Sequence, residues 1–293
     1  MRLVARVPAT VANLGPGFDC FGLALELCNE VTVDTEAEPG VSWDGEGADE
    51  LPTDGTDMVS RAMRYVLHDA QQSFGETIEL PQLHLLGVNR IPLQRGLGSS
   101  AAAVVAGVAL ATTMLHLGDL RTPLGTLSLA GSMEGHWDNA AAAVFGGFTI
   151  ATPGAVVRLD PHPELQPVVL IPEHVRLSTE EARRALPQTV PLEDAVHNIG
   201  NAAVMVHAMT NDPSRLLTGI GDRLHQDVRL GLVPEVRNVF ERLERVPVPV
   251  CVSGAGPSLL AFESERFPVP DPGPGWRLLR IAPRAAGVEV EGA

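Results

Sequence analysis

PLQRGLGSSAA, residues 92–102, joins a glycine-rich turn to a long apolar run. Its two glycines let the backbone approach a ligand closely, and the apolar run after them predicts a helix buried on most of its surface. The free N–H groups and the positive dipole end of such a helix attract anions. Ser99 and Ser100 add hydroxyls for a phosphate or a magnesium ion. The stretch therefore predicts an anion site at the start of a central helix.

The spacing of this loop excludes two common nucleotide-binding patterns. It is neither GxxxxGK[ST] nor GxGxxG, so neither a Walker-type nor a dinucleotide-binding loop applies. Taken alone, the glycines also fit a serine-capped connection that binds nothing. The motifs on either side of the loop distinguish this interpretation from phosphate binding. In the phosphate-binding interpretation, a side chain added at Gly98 would occupy the space of a phosphate.

Composition narrows the class of protein. The chain has 293 residues, 45% of them hydrophobic, and 21 basic against 36 acidic residues give a formal net charge of -15. This charge repels nucleic acid and anionic membrane surfaces, so neither is expected as a partner. No apolar run reaches the roughly 18 to 20 residues of a membrane span, and the N-terminus lacks the pattern of a secretory signal, so we expect a cytoplasmic protein. The three cysteines form no CxxC or Cys/His array.

Strand and helix patterns alternate along both halves of the chain, which predicts an α+β fold in two domains. Helical spacing behind the candidate cap Asp57 predicts a helix over 58–75, and further helices are expected over 192–210 and 234–245. Strand patterns occur at 29–35, 83–88 and 148–152, and the last one is expected in RLLRIAP, residues 277–283. We place the domain boundary so that residues 1–153 form the first domain and residues 154–293 the second.

Four segments together resemble one family. PLQRGLGSSAA resembles the phosphate loop of the galactokinase, homoserine kinase, mevalonate kinase and phosphomevalonate kinase (GHMP) superfamily. VPATVANLGPGFDCFGLAL (7–25) resembles its first motif as homoserine kinases carry it, and SGAGPSLLAF (253–262) resembles its third. EGHWDNAAAAVFGG (134–147) resembles the EGHxDN segment of bacterial homoserine kinases. The motifs stand in the family order and at the family spacing, and the resemblance covers nearly the whole chain.

The resemblance implies a fold and a reaction. The fold would be an N-terminal domain like ribosomal protein S5 domain 2 and a C-terminal ferredoxin-like domain, with the active site between them. The third motif would pack against the phosphate loop. The reaction would be MgATP-dependent phosphorylation of L-homoserine to O-phospho-L-homoserine, an intermediate on the route to threonine.

The resemblance also assigns residues, and the chemistry of homoserine explains the residue types. A carboxylate calls for arginines, and an ammonium and a hydroxyl call for carboxylate, amide or imidazole groups. STEEARRALP and HQDVRLGLVP resemble the family's two arginine segments. The substrate residues would be Asn13, Asp19, His136, Asn139, Thr179, Arg183 and Arg229.

Phosphoryl transfer needs mainly positioning and charge neutralisation. By resemblance, Asp138 stands where some relatives have a general base, although a loose transition state does not require a strong one, and Asn139 would orient the hydroxyl. Ser100 and Glu134 would hold magnesium, which prefers hard oxygen ligands. Asp57 stands where relatives commonly have Asn, which predicts an altered adenine pocket. The predicted ATP contacts are Asp57, Pro92, Leu93, Gln94, Arg95, Gly96, Leu97, Gly98, Ser99, Ser100, Ala101 and Ala102.

Alternatives stay open at this point. Asp138 or Asn139 could simply cap a helix, and either arginine could be a solvated helix charge. A kinase for mevalonate or a related alcohol would keep the loop but should lose the arginine pair or the EGHxDN segment. A non-catalytic sensor of ATP or a metabolite should lose Ser100 or Asp138. A homodimer is kept as a hypothesis, because the sequence does not give the oligomeric state.

Overall fold

The computed structural model describes residues 1–74, 79–152 and 154–292. Within these ranges the chain forms two sheets with helices packed on them, which confirms the predicted α+β class. Gly75, at the end of the predicted first helix, and Pro153, at the predicted domain boundary, lie outside the described residues.

The larger sheet has the strand order β11-β1-β2-β4-β3, with β5 paired to β2 and β6 paired to β5. Neighbouring strands are antiparallel except for β3 and β4, which are parallel. A bulge between Pro8 and Ala9 shifts the register of β1 against β2. The strands are β1 (Arg2–Ala12), β2 (Phe21–Asp34), β3 (Gly40–Gly45), β4 (His84–Asn89), β5 (Phe148–Thr152), β6 (Ala155–Leu159) and β11 (Glu289–Gly292).

Four helices pack together beside this sheet: α2 and α4 contact its strands, and α1 and α3 pack on α2, which is the central helix. Its small side chains are buried along nearly the whole helix, as the apolar sequence predicts. At Gly107 a Cβ would lie 2.5 Å from the Val59 carbonyl oxygen, so the backbones of α1 and α2 touch there. The helices are α1 (Met58–Phe74), α2 (Ser99–Met114), α3 (Pro123–Glu134) and α4 (Asp138–Phe145).

The smaller sheet separates two cores, because successive side chains of a strand point to opposite faces. Val169 belongs to the large core that also contains Met205, whereas Val168 belongs to a second core with Val236 and Phe240. The sheet order is β10-β7-β9-β8. Its strands are β7 (Gln166–Pro172), β8 (Val250–Val252), β9 (Leu259–Glu263) and β10 (Trp276–Arg280).

The remaining helices lie in the second half of the chain: α5 (Thr179–Arg184), α6 (Leu192–Thr210), α7 (Leu216–Gly219), α8 (Gln226–Leu232) and α9 (Pro234–Glu244). The predicted helices over 192–210 and 234–245 are confirmed. The prediction that RLLRIAP is the last strand is wrong, because β11 follows it and pairs with β1. Residues 36–56, which are acidic and rich in Gly, Pro and Asp, contain the edge strand β3.

The predicted domain boundary falls between β5 and β6, which pair with each other in the larger sheet. β11 also returns to this sheet from the far end of the chain. The division into 1–153 and 154–293 therefore stays a prediction. In the part of the chain that the structure describes, no helix combines the length and apolarity that a bilayer span requires.

Candidate active site

A cavity of about 490 Å³ lies between the two halves of the chain. It is lined by the loop after β1, the loop before α2, the starts of α1 and α4, and residues of α5, α8 and the turn after β8. Every site residue predicted from the sequence lines it, apart from Pro92. The fold thus brings residues from opposite ends of the sequence, such as Asn13 and Arg229, to one place.

The predicted phosphate loop joins β4 to α2. Gln94, Gly96 and Gly98 adopt left-handed backbone conformations with φ of 53°, 70° and 68°. Gly98 is the N-cap of α2 and offers no side chain to cap it, so helix geometry leaves the first N–H groups available to a ligand. Ser99 and Ser100 stand at this helix start and line the cavity. The start of α2 therefore has the geometry that anion binding requires, and phosphate binding at this position stays a prediction.

The third motif packs directly against this loop, as predicted. Ser253 Oγ donates a hydrogen bond to the Gly96 carbonyl at 2.6 Å. A Cβ at Gly96 would lie 2.1 Å from the Ser253 carbonyl oxygen, so only glycine fits between the two segments. On the other side, Gly254 N donates to Ala12 O at 3.1 Å. The turn after β8 therefore fixes the phosphate loop from behind.

The expectation that a side chain at Gly98 would fill the phosphate space is wrong. A Cβ there would lie 1.9 Å from Thr10 Oγ1 and 3.2 Å from Asn139 Oδ1, both protein atoms. Thr10 Oγ1 also donates to Asn139 Oδ1 at 2.7 Å, so this contact has no spare volume. Gly98 is required because β1 and α4 meet beside it.

Pro92 and Arg95 differ from the other residues of the predicted loop. Pro92 does not line the cavity. Arg95 lines it, but its guanidinium donates from Nε to Pro172 O at 2.9 Å and from Nη2 to Glu173 O at 2.8 Å. These bonds attach the loop to the end of β7. Arg95 thus helps to hold the loop in place, and its predicted contact with ATP stays a prediction.

Asp57 caps α1, as its position in the sequence predicts, and Oδ1 accepts from Ser60 N at 2.9 Å. The residue is only 2% exposed, and Oδ2 has no partner among the described groups. Val31, Trp43 and Met58 also line the cavity and provide apolar surface for a planar base. An ion pair between Glu50 and Arg176 connects the loop before α1 to the segment after β7.

The predicted metal ligands lie together. Ser100 Oγ donates to Glu134 Oε1 at 2.7 Å, where the start of α2 meets the end of α3. Two hard oxygens side by side fit Mg²⁺, which takes most of its other ligands from phosphates and water. Elsewhere among the described residues, no three His, Cys, Asp or Glu side chains come together as a metal site.

Asp138 and Asn139 begin α4 and face the same cavity. Asp138 is 4% exposed, and Oδ1 accepts from Asn139 N at 2.7 Å. His136 Nδ1 lies 3.4 Å from the same oxygen. This neighbour raises the pKa of His136, although burial opposes the shift. The predicted hydroxyl-binding residues therefore form one compact group beside Ser100 and Glu134.

The two arginines reach the cavity from α5 and α8. Arg183 donates to both carboxylate oxygens of Asp19, at 2.7 and 2.9 Å, and this pairing raises the pKa of Arg183. Arg229 is 3% exposed and donates from Nη1 to Gly254 O at 2.7 Å, while its Nε has no partner among the described groups. Both guanidinium carbons lie over the Phe18 ring, at 5.9 and 5.3 Å from its centroid.

Two of the predicted substrate residues support the site from its edges. Asn13 donates from Nδ2 to Gly254 O at 2.8 Å and accepts from Asp19 N at 3.0 Å, so its amide fixes the loop that carries Asp19. Thr179 is the first residue of α5 and lines the cavity behind the cap Ser178.

Sequence reasoning missed Thr10, Phe18 and His225. Phe18 lies inside the first motif, and its place directly before the predicted substrate residue Asp19 was the available signal. His225 lies one helical turn before Arg229, a spacing that places both side chains on one face of a helix. Thr10 gave no signal, because its partner Asn139 is 129 residues away.

Comparisons with known proteins agree with this geometry. Residues 57–147 match the GHMP kinases N terminal domain. The chain is 42% identical over 271 residues to the homoserine kinase of Clavibacter michiganensis subsp. michiganensis, covering 90% of this chain and 83% of that protein. It is 40% identical over 296 residues to the homoserine kinase of Streptomyces avermitilis, covering 97% and 94%.

Solved structures give the same result. The homoserine kinase from Cytophaga hutchinsonii superposes with a TM-score of 0.81 at 27% identity, covering 99% of this chain and 97% of that one. A mevalonate kinase superposes with a TM-score of 0.66 at 11% identity, a likeness of fold alone.

Proposed function

The chain belongs to the homoserine kinase family of the GHMP kinases, and from this premise we propose that it transfers the γ-phosphoryl group of ATP to the hydroxyl of L-homoserine. One observation carries the proposal: a helix start suited to phosphates, a Ser100–Glu134 oxygen pair and two arginines beside Asp19 line a single cavity. The product, O-phospho-L-homoserine, lies on the route to threonine. We place the reaction in the cytoplasm, where ATP is supplied.

The nucleotide side of the proposal rests on the start of α2. The N–H groups there and the hydroxyls of Ser99 and Ser100 would receive the phosphates, and Ser253 keeps the loop closed behind them. Ser100 and Glu134 fit Mg²⁺, which when bound neutralises phosphate charge as it develops during transfer. Val31, Trp43 and Met58 would contact the base.

The acceptor side rests on charge complementarity. Homoserine is a zwitterion, so its ammonium matches Asp19 and its carboxylate matches the guanidinium groups of Arg183 and Arg229. Burial lowers the pKa of Arg229 to about 10, so this side chain remains charged at neutral pH. Binding both charged groups would fix the side-chain hydroxyl at one end of the cavity, and such positioning, together with charge neutralisation, is the main requirement of phosphoryl transfer.

The hydroxyl would be oriented by the group at the start of α4. Asn139 Oδ1 is occupied by Thr10, which leaves the amide nitrogen of Asn139 to contact the substrate oxygen. Asp138 is the available proton acceptor, and in a loose transition state the proton leaves late, so a strong base is not required. The helix start also offers N–H groups to the transferred phosphoryl group.

The alternatives are less well supported. Mevalonate carries a carboxylate but no ammonium group, so a mevalonate-type kinase has no need for the carboxylate of Asp19 beside Arg183, and a silent sensor has no need for the Ser100–Glu134 pair. The test is ADP release by the purified protein with homoserine, mevalonate, galactose or shikimate, followed by phosphorus NMR of the product. Homoserine should give the highest kcat/KM. Faster turnover of mevalonate at equal concentration would refute the substrate assignment.

A further inference from the structure

A buried histidine connects the two halves of the proposed homoserine site. His225 is 1% exposed and precedes α8. Its Nε2 lies 2.8 Å from the Gly15 carbonyl oxygen, and its Nδ1 lies 3.0 Å from Arg229 Nη1. Gly15 belongs to the loop after β1 that carries Asn13 and Asp19. One imidazole therefore contacts both the loop on the ammonium side and the arginine on the carboxylate side.

The chemistry of these two contacts fixes the protonation state of the ring. A carbonyl oxygen can only accept, so Nε2 must carry the hydrogen, and a guanidinium can only donate, so Nδ1 must be the bare acceptor. Only the neutral ring with its hydrogen on Nε2 satisfies both contacts. Burial favours the same form, because it lowers the pKa of His225 to about 4.

Asp222 and Phe18 also contact His225. Asp222, whose side chain is fully buried, accepts from His225 N at 2.9 Å and from Gln226 N at 2.8 Å. Its other oxygen accepts from Asn198 Nδ2 at 2.7 Å and lies 3.7 Å from His225 Nε2. Phe18 stacks on the ring with a centroid distance of 5.2 Å. The charged groups around His225 are therefore Asp222, Arg229 and, farther off, Asp19.

Arg229 depends on this arrangement for its orientation. Nη1 divides its hydrogens between Gly254 O and His225 Nδ1, at 2.7 and 3.0 Å. Because Nη1 makes both hydrogen bonds, the planar guanidinium is held in one orientation. Its other N–H groups take no part in these two bonds. Loss of the His225 acceptor would allow the group to rotate about its one remaining hydrogen bond to Gly254.

We propose that His225, as the neutral Nε2–H tautomer, is a positioning residue for homoserine: it sets the orientation of Arg229 and joins it to the loop over residues 13–19. It touches no reacting atom and acts through Arg229. This inference rests on the proposed function, because the ligand that it positions is the carboxylate of the amino-acid substrate.

The experiment compares His225→Asn, His225→Gln and His225→Phe, with exposed His207→Gln as the matched control. Asn keeps an acceptor near the position of Nδ1, Gln keeps a donor near Nε2, and Phe keeps only the stacking on Phe18. We expect Gln and Phe to raise the homoserine KM about tenfold or more, with kcat and the ATP KM within about twofold of wild type. The Asn variant should have a homoserine KM close to that of wild type, and the His207→Gln control should match wild type.

The outcomes separate this inference from the proposed function. If wild type does not phosphorylate homoserine, the proposed function fails. If it does, and the Gln and Phe variants keep the wild-type homoserine KM or change both substrates equally, the positioning role fails. A second measurement is nitrogen-15 NMR of the imidazoles at neutral pH: the signals that are lost in His225→Phe should be those of a neutral Nε2–H ring, and they should shift when homoserine is added to wild type. A protonated ring or an Nδ1–H tautomer at His225 would overturn the inference.

Discussion

Arg183 and Asp19 form a two-point ion pair across the cavity, with Nη1–Oδ2 and Nη2–Oδ1 distances of 2.7 and 2.9 Å. Their side chains keep 41% and 33% exposure, so the pair contributes little to stability, of the order of 1 kcal/mol or less. A zwitterionic amino acid carries the same two charges and can replace the direct pair with two new ones. In the proposed function, the free site would therefore hold its two recognition groups against each other until substrate binds.

Arg183→Ala or Arg229→Ala should raise the homoserine KM roughly ten- to a hundredfold, because a charge-assisted hydrogen bond in a partly dry site is worth about 1.5 to 3 kcal/mol. The ATP KM should barely change. Lys at either position should rescue only part of the loss, since an ammonium cannot reproduce a planar two-point contact. Steady-state kinetics with each substrate varied in turn gives the measurement.

Two controls define which charge each residue binds. A homoserine methyl ester should be a poor substrate for wild type and lose little further in the arginine variants. Asp19→Asn should lose much of the preference for homoserine over 4-hydroxybutanoate, which lacks the amino group. Should the arginine variants weaken ATP and leave homoserine unaffected, both arginines belong to the nucleotide side.

Gly98→Ala should destabilise the fold itself, because the new Cβ meets Thr10 Oγ1 at 1.9 Å and φ is 68°. The left-handed backbone alone costs about 1 to 2 kcal/mol for alanine, and the contact should increase that cost. Urea unfolding measures it. Gly275→Ala is the matched control, since its φ is 82° and its Cβ would meet no described atom within 4 Å.

The Thr10→Ala change tests the cause. In the Gly98→Ala background it removes the hydroxyl that the new Cβ meets, so the double variant should regain part of the lost stability. Equal losses for Gly98→Ala and Gly275→Ala would mean that backbone strain alone explains the effect and that the contact with Thr10 relaxes freely.

The sequence predicted those parts of the structure that depend on local pattern. The helix of α6 was bounded correctly because its apolar spacing and flanking residues are local, and the same holds for the Asp57 cap. The motifs also placed the candidate residues in one cavity, through resemblance to a family whose segments are known to converge.

What the sequence could not give were contacts set by distant backbone. Gly98 meets Thr10 because β1 runs beside the loop, and β11 pairs with β1 across the whole chain length. Arg95 points to carbonyls at the end of β7, a direction that no local pattern encodes. His225 touches Gly15, 210 positions earlier. These contacts follow from tertiary packing. Each of them gives the residue a role that local sequence pattern does not indicate.

Glu134→Gln should raise the Mg²⁺ concentration for half-maximal activity about tenfold or more, because a neutral amide replaces the charged ligand next to Ser100 Oγ. Ser100→Ala should act in the same direction, and the double variant should lose less than the product of the two, because both residues would serve one ion. Glu241→Gln, an exposed residue of α9, is the control. An unchanged Mg²⁺ dependence in Glu134→Gln would remove this residue from the metal site.

Folding stability should fall as the pH is lowered, in part through His225. Burial lowers the folded-state pKa of this histidine to about 4, whereas an unfolded histidine titrates near 6.5. Between these values the unfolded chain binds a proton that the folded chain does not, so the stability is fully present above about pH 6.5 and decreases as the pH falls towards 4. From pH 7 to pH 5 the loss of folding stability from this group amounts to about 2 kcal/mol.

Urea unfolding at pH 7, 6 and 5 measures this loss, and His225→Gln should show a shallower decline than wild type or His207→Gln. Parallel declines in all three proteins would mean that the pKa of His225 is the same in the folded and unfolded states.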